Sequence, residues 1–374
     1  MKLRENAAGS LILAILVILV LLPLLTVLIQ VVCPGLSLNE LDLGNLSLVL
    51  DVFVRPLWKR AFLNSASLSL YTTAAGLILA GFLAHIRVKY QFPLAKLLDV
   101  VSWILMIMPS FILAQGWVFF ASGNGIAKSW LHIEGMNNFL FSFPGLVTVM
   151  VLCKYPMAYV AIKSALEWYP ARLVHAARLN GASPFKAWTS VQLPLCMPAY
   201  FSAAMLIFMD TVGDYGMSST ITAVYSFPTL PYTIYSAICT SPVRFDMAGV
   251  LSLYLVVMIV IAMILQFYMM GRKRFDFLDS GTEQVVARKV SKPVSGLLSA
   301  AAGIFSLIAL GIPIGSSFIM SFSNSFSIER FTFTLDNYKS VLQPDGALLA
   351  GVRNSLSLAA VAAVVGLVLG FAVA

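Results

Sequence analysis

Asp210 and Asp214 stand four residues apart inside an apolar stretch, Phe208-Met209-Asp210-Thr211-Val212-Gly213-Asp214-Tyr215-Gly216. If the segment stays helical, that spacing puts both carboxylates on one face. Acids in apolar surroundings are costly and face protein or water rather than lipid. Two roles fit them. They form a polar strip beside a path through the apolar layer, or they cap backbone amides freed where Gly213 and Gly216 break the helix. Capping is the simpler requirement. Lys154, beside Tyr155-Pro156 in another apolar run, can pair with a carboxylate or extend its stem toward water. The sequence names no partner for it.

No other group of residues has the form of a catalytic centre. The chain has no Gly-rich phosphate loop ending in Gly-Lys-Ser/Thr, no nucleophile elbow and no HExxH. Its histidines (His85, His132, His175) are scattered. The four cysteines (Cys33, Cys153, Cys196, Cys239) have neither close spacing nor companion histidines and do not read as a disulfide framework or a metal site; three lie in or beside apolar runs and read as small buried hydrophobes. We therefore expect no catalytic, cofactor-binding or metal-binding residue.

The most organised polar stretch runs from His175-Ala176-Ala177-Arg178-Leu179-Asn180-Gly181 through Ala182-Ser183-Pro184-Phe185-Lys186-Ala187-Trp188 to Val191-Gln192-Leu193-Pro194. Its chemistry predicts two short helices with a sharp corner. Ala171 to Asn180 are mostly good helix formers. Gly181 suits the left-handed position that ends a helix. Ser183 is a candidate cap and Pro184 fits the first turn of the next helix. Pro194 then marks the start of an apolar run. Phe185 and Trp188, three apart, share a helix face. Taken alone, the stretch is either a docking loop or an ordinary helical hairpin.

The elements that position these residues are membrane helices. Hydrophobic residues make up 60% of the chain and charged residues 11%, and the mean hydropathy is +0.90. A soluble chain needs about a quarter of its residues charged, so lipid is the solvent here. Apolar runs near 10–32, 61–84, 97–120, 143–165, 195–221, 248–270, 297–320 and 351–374 approach or exceed the roughly 20 residues a helix needs to cross a bilayer. The run at 10–32 is too long for a signal peptide and reads as a retained helix. With Met1 in the cytoplasm, the inner segments hold about 15 lysines and arginines against about 7 in the outer ones, the expected bias. The net charge of +8 then reflects membrane orientation, not nucleic acid.

The chain also repeats itself. Asn64-Ser65-Ala66-Ser67-Leu68 returns as Asn354-Ser355-Leu356-Ser357-Leu358, and the same offset carries Gly76 onto Gly366 and Pro23 onto Pro313. The expected architecture is an all-α polytopic bundle built on a duplicated six-helix unit. Residues 1–275 form the first unit, 276–294 a cytoplasmic linker, and 295–374 the first two helices of a second copy. That copy is incomplete at Ala374, so a longer protein is expected.

The spacing Ala176-Ala177, three residues, Gly181, nine residues, Val191-Gln192-Leu193-Pro194 resembles the EAA loop of the permeases of binding-protein-dependent ABC importers. In that family the pattern runs EAA, three residues, Gly, nine residues, Ile-x-Leu-Pro, and the likeness here extends to Tyr155-Pro156 and to 208–216. His175 departs from it, standing where the family has Glu, and Val191 replaces Ile. The resemblance implies that His175, Ala176, Ala177, Gly181, Phe185, Trp188, Val191, Leu193 and Pro194 belong to a loop that docks on a cytoplasmic ATPase, present in two copies. It further implies an extracytoplasmic solute-binding protein and a multi-pass location in the bacterial inner membrane, N-terminus inside. The fused halves, with Pro228-Thr229-Leu230-Pro231-Tyr232-Thr233-Ile234-Tyr235 and Ala248 to Leu253, resemble most the iron(III) permeases. Thiamine, phosphonate, polyamine and sugar-phosphate importers are alternatives within the class. Outside it stand a secondary transporter, for which midplane acids would be coupling sites, and a passive membrane scaffold.

Overall fold

The structure is a computed structural model and describes residues 54–222, 225–271, 285–325, 331–343 and 347–373, with scattered positions at 14–31, 49–51 and 328. The expected first span at 10–32 and the linker residues 276–284 lie largely outside that set, as does Cys33.

Helix α1 (Pro56–Lys89) starts on a proline, which suits a first helical turn because its missing N–H would have no partner there. Its buried face is a stripe of small residues three or four apart: Ser65, Ser69, Thr72, Gly76, Ala80 and Ala84. Small side chains let neighbouring helices approach closely where lipid supplies no hydrophobic drive between them. A Cβ at Gly76 would lie 3.0 Å from Ile207 Cδ1, and one at Gly81 would lie 3.1 Å from the Tyr200 hydroxyl.

After the short strand β1 (Tyr90–Gln91), α2 (Ala95–Ile107) and α3 (Ser110–Ala121) follow, then the short α4 (Ile126–Ser129) and α5 (Met136–Leu140). The long α6 (Phe143–Trp168) packs along α1 and carries the fully buried Tyr155 and Tyr159. Helices α7 (Ala171–Leu179) and α8 (Pro184–Ala187) lead through a π-helical turn, Trp188–Gln192, into α9 (Leu193–Val212). Then come α10 (Gly216–Thr222), α11 (Leu230–Cys239) and α12 (Phe245–Gly271). Beyond β2 (Arg288–Lys289), α13 (Lys292–Ser306) passes through a second π turn, Leu307–Gly311, into α14 (Ile312–Ser321), followed by α15 (Asp336–Val341) and α16 (Ala347–Val373).

Among the described residues six helices are long and apolar enough to cross a membrane: Pro56–Lys89, Phe143–Trp168, Pro184–Val212, Phe245–Met270, Lys292–Ser321 and Leu348–Phe371. The protein is an all-α polytopic bundle. Two expected spans differ from the sequence reading. The run at 97–120 is not straight but bends by 107° between α2 and α3. Pro109 lies at the bend, and the residue before a proline is pushed out of the helical region; Met108 accordingly sits at φ −72°, ψ 133°. The run at 195–221 begins earlier, at Pro184, and stops at Val212.

The early start corrects the expectation that Pro194 opens a separate helix. Proline lacks the N–H that would bond four residues back, and its ring crowds that carbonyl. Here the turn just ahead widens to π geometry, with the Leu193 N–H reaching the Trp188 carbonyl, and the helix continues past the proline. The second π turn stands in the same relation to Pro313.

Residues 285–289 are held against the helices that precede them. β1 and β2 pair in parallel, Tyr90 with Arg288 and Gln91 with Lys289, and the Val285 N–H donates to the Glu167 carbonyl at 3.0 Å. Nearby, the Asp99 carboxylate accepts from Arg87 Nε at 2.8 Å and the Tyr159 hydroxyl at 2.7 Å, with Lys163 Nζ at 3.1 Å. One carboxylate thereby joins the ends of α1, α2 and α6.

Candidate functional site

Two places bring the expected residues together. The first lies where both interrupted helices meet. Lys154 projects from α6 and is 6% exposed. Its Nζ lies 2.6 Å from Asp210 Oδ2 and 2.6 Å from Asp214 Oδ2. The sequence left Lys154 without a named partner; it has two.

The two aspartates do different work. Asp210 is on the last turn of α9 with its side chain 35% exposed. Asp214 follows Gly213, where α9 ends, and its side chain is 4% exposed. Its Oδ1 accepts the Met217 N–H at 2.7 Å, as a helix cap does, and the Ser110 hydroxyl at 3.1 Å. Asp214 thus performs the capping role and also belongs to an ion cluster, so the two sequence readings are not exclusive. Ser110 opens α3 just after the Pro109 bend. Gly216 allows the approach, since a Cβ there would lie 2.7 Å from Ser110 Oγ.

Beside the cluster is a cavity of about 410 Å³, whose lining includes Ser110, Lys154, Met157, Met209, Asp210 and Asp214. One ammonium faces two carboxylates, so by formal count the cluster is acidic. Buried charges persist when they are paired and hydrogen-bonded. Cys153, next to Lys154, is buried and free; Cys196 is also buried and free. Cys239, which stands outside the apolar runs, is exposed at the end of α11.

The second place is the helical corner. The end of α7 forms the double hydrogen bond of a glycine-terminated helix, with the Gly181 N–H on the Arg178 carbonyl at 3.1 Å and the Ala182 N–H on the Ala177 carbonyl at 3.0 Å. Gly181 has φ +85°. Ser183 Oγ then accepts the Lys186 N–H at 3.2 Å and caps α8. No side chain of α7 is buried, and His175, Ala176 and Gly181 are exposed. Leu179 is 89% exposed and Phe185 72%. Val191, Leu193 and Pro194 are half-buried where the π turn meets α9.

Trp188 is half-buried, unlike the exposed Phe185. Its ring contacts Phe185 at 5.9 Å between centroids, but its indole Nε1–H donates to His85 Nε2 of α1 at 3.1 Å. Sequence reasoning passed over His85, as a lone histidine in an apolar run gives no signal of a partner more than a hundred positions away.

A model of the family described as binding-protein-dependent transport system inner membrane component matches residues 73–275, more than half of the chain. The molybdenum transport system permease protein ModB of Escherichia coli (strain K12) is 28% identical over 193 residues, which cover 50% of this chain and 83% of that protein. The trehalose transport system permease protein SugB of Mycobacterium tuberculosis is 25% identical over 183 residues, 49% of this chain and 62% of that one. Among solved structures, a bacterial ABC transporter involved in the import of the acidic polysaccharide alginate aligns with a TM-score of 0.53 at 15% identity, over 73% of this chain and 100% of that chain. The bacterial alginate ABC transporter in complex with an alginate pentasaccharide-bound periplasmic protein aligns at 0.55 and 16%, over 72% and 96%. At such identities the likeness is one of fold.

Proposed function

The chain belongs to the family of binding-protein-dependent transport system inner membrane components, and from that premise we propose that it forms the translocation path of an ATP-driven importer. The observation that carries the reading is the exposed corner at Gly181. It is a capped turn between the apolar spans, with Leu179 and Phe185 exposed on either side of it. In this reading His175, Ala176, Ala177, Gly181 and Phe185 meet a cytoplasmic ATPase present in two copies. Trp188, Val191, Leu193 and Pro194 join that contact to α9. A solute-binding protein delivers the substrate from the other side.

We further assign residues 295–374 to the start of a second unit, with 276–294 as its linker. Asn354 and Ser355 on α16 stand at nearly the same depth in their helix as Asn64 and Ser65 on α1. In α1 these side chains hold a loop, Asn64 Nδ2 donating to the Pro228 carbonyl at 2.9 Å and Ser65 Oγ accepting the Leu230 N–H at 2.8 Å.

Asp210 and Asp214 line the path, and the proposed substrate is iron(III). The cavity supports a cation. Its lining holds two carboxylates against one ammonium, and a cleft with an acidic excess by formal count favours a cation. An oxyanion such as molybdate would meet repulsion there.

The test is uptake by vesicles holding the full-length protein, its ATPase and its solute-binding protein. Uptake of iron(III) should require ATP and survive dissipation of the ion gradients. Uptake that needs a gradient and ignores ATP would make the protein a secondary transporter. ATP-driven uptake of another solute would leave the importer and displace iron(III).

Orientation is open to direct labelling. With the native cysteines removed, Val286→Cys should be shielded from an impermeant thiol reagent in intact cells, whereas Asn124→Cys should react; both positions are exposed. The reverse pattern would turn the protein over and place the Gly181 corner on the wrong side for an ATPase.

A further inference from the structure

The coupling-loop reading says where an ATPase would touch this chain but not how the touch reaches the membrane helices. We propose that the hydrogen bond between Trp188 and His85 is the joint through which the loop moves α1, and that His85 is a positioning residue of coupling. This rests on the coupling-loop reading.

The geometry fixes the chemistry of the joint. His85 Nδ1 lies 2.8 Å from the Gly81 carbonyl. A carbonyl only accepts, so Nδ1 carries the hydrogen and Nε2 keeps its lone pair. The half-buried indole N–H of Trp188 needs an acceptor, and Nε2 provides it. The rings also meet edge to face, with centroids 6.1 Å apart. Tyr200 of α9 completes the node, its hydroxyl 3.5 Å from His85 Nδ1 in the space left by Gly81.

What lies on either side gives the joint its direction. Outward, Trp188 contacts Phe185, the exposed aromatic ring of the loop. Inward, His85 belongs to a 34-residue helix, about 50 Å long at the usual rise. Some 30 Å further along that helix, Asn64 and Ser65 hold the loop at Pro228–Leu230. A push on Phe185 is therefore delivered to one rigid helix whose other end grips a loop across the bundle. The chain ties the loop to α6 on one side and α9 on the other, and the His85 bond adds a non-covalent link to a third helix, α1. Packed side chains, hydrogen bonds and helices of this kind carry coupling between distant sites.

The experiment measures uptake and ATP hydrolysis together in the reconstituted full-length importer. His85→Leu removes the acceptor and keeps bulk. It should leave membrane insertion and ATPase association unchanged while lowering the ratio of transport to hydrolysis by roughly 2- to 30-fold, the range for residues that modulate coupling. Trp188→Phe, which loses the donor and keeps a smaller aromatic ring, should match it, and the double variant should be no worse than either alone. His85→Gln, whose carbonyl can accept the indole N–H, should restore most of the ratio. A merely structural role would lower protein amount and leave the ratio alone. An unchanged ratio in His85→Leu overturns the proposal, as does an additive double variant. Absence of ATPase association in the unsubstituted protein would instead remove the coupling-loop reading itself.

Discussion

Gly181→Val should leave the full-length protein in the membrane at normal amount and abolish its productive engagement with the ATPase. Nothing lies within 4 Å of a Cβ built on Gly181, so the penalty is not a clash. It is entirely backbone: φ is +85°, a region costing an ordinary L-residue about 1–2 kcal/mol and a β-branched one more. The only way to shed that strain is to leave the left-handed turn. Doing so breaks the two hydrogen bonds that close α7 and re-aims α8, along with Phe185. The spans on either side are stabilised elsewhere and do not feel the change. Gly181→Asn, which tolerates the left-handed region, should keep most of the activity, and His175→Glu, on an exposed face, should be tolerated. Wild-type ATPase binding and uptake by Gly181→Val would remove the coupling loop and most of the functional assignment.

Lys154→Leu should be the most damaging single change inside the membrane. It leaves Asp214, whose side chain is 4% exposed, as a buried carboxylate without its cation. Breaking a buried pair from one side costs about 3–5 kcal/mol, a large part of the 5–15 kcal/mol that holds a domain together. The expected result is a sharp fall in the amount of folded protein recovered from membranes and a lower unfolding temperature in detergent. Lys154→Leu combined with Asp214→Asn should recover much of that loss, because Asn still accepts the Met217 N–H and carries no charge. Asp210→Asn alone should preserve stability, since Asp210 is partly solvated, but change transport rate. Normal recovery of Lys154→Leu would show that the cluster is wet enough to need no cation, contradicting its described burial.

Much of this was legible in the residues. The apolar runs, the corner at Gly181 and the cap at Ser183 follow from local chemistry that lipid and tertiary packing do not override. The breaks were harder. Pro109 and Pro194 are the same residue in similar apolar company, yet one bends its run by 107° and the other is absorbed by a widened turn. The difference lies in what each neighbour can bond. Ser110 begins a new helix and reaches across to Asp214, whereas Leu193 recovers its own bond one residue further back. Lys154 illustrates the other limit. Its need for a partner was plain from its setting, but pairing across 60 positions depends on how α6 and α9 pack. For Trp188 the shared face with Phe185 was correct as ring contact, while its hydrogen bond to His85 depends on α1.

Each π turn holds one more residue than an α-helical turn would. A helix with such a surplus has slack in its thread. If the surplus at Trp188–Gln192 were drawn out, everything on the loop side would rotate by about 100° about the axis and shift by about 1.5 Å, while α9 stayed seated. A straight helix offers no such freedom without unwinding. The same slack stands ahead of Pro313, where α14 approaches α3 so closely that a Cβ on Gly116 would overlap the Pro313 backbone. In either segment, the step that removes the surplus residue has a size set by helix geometry alone.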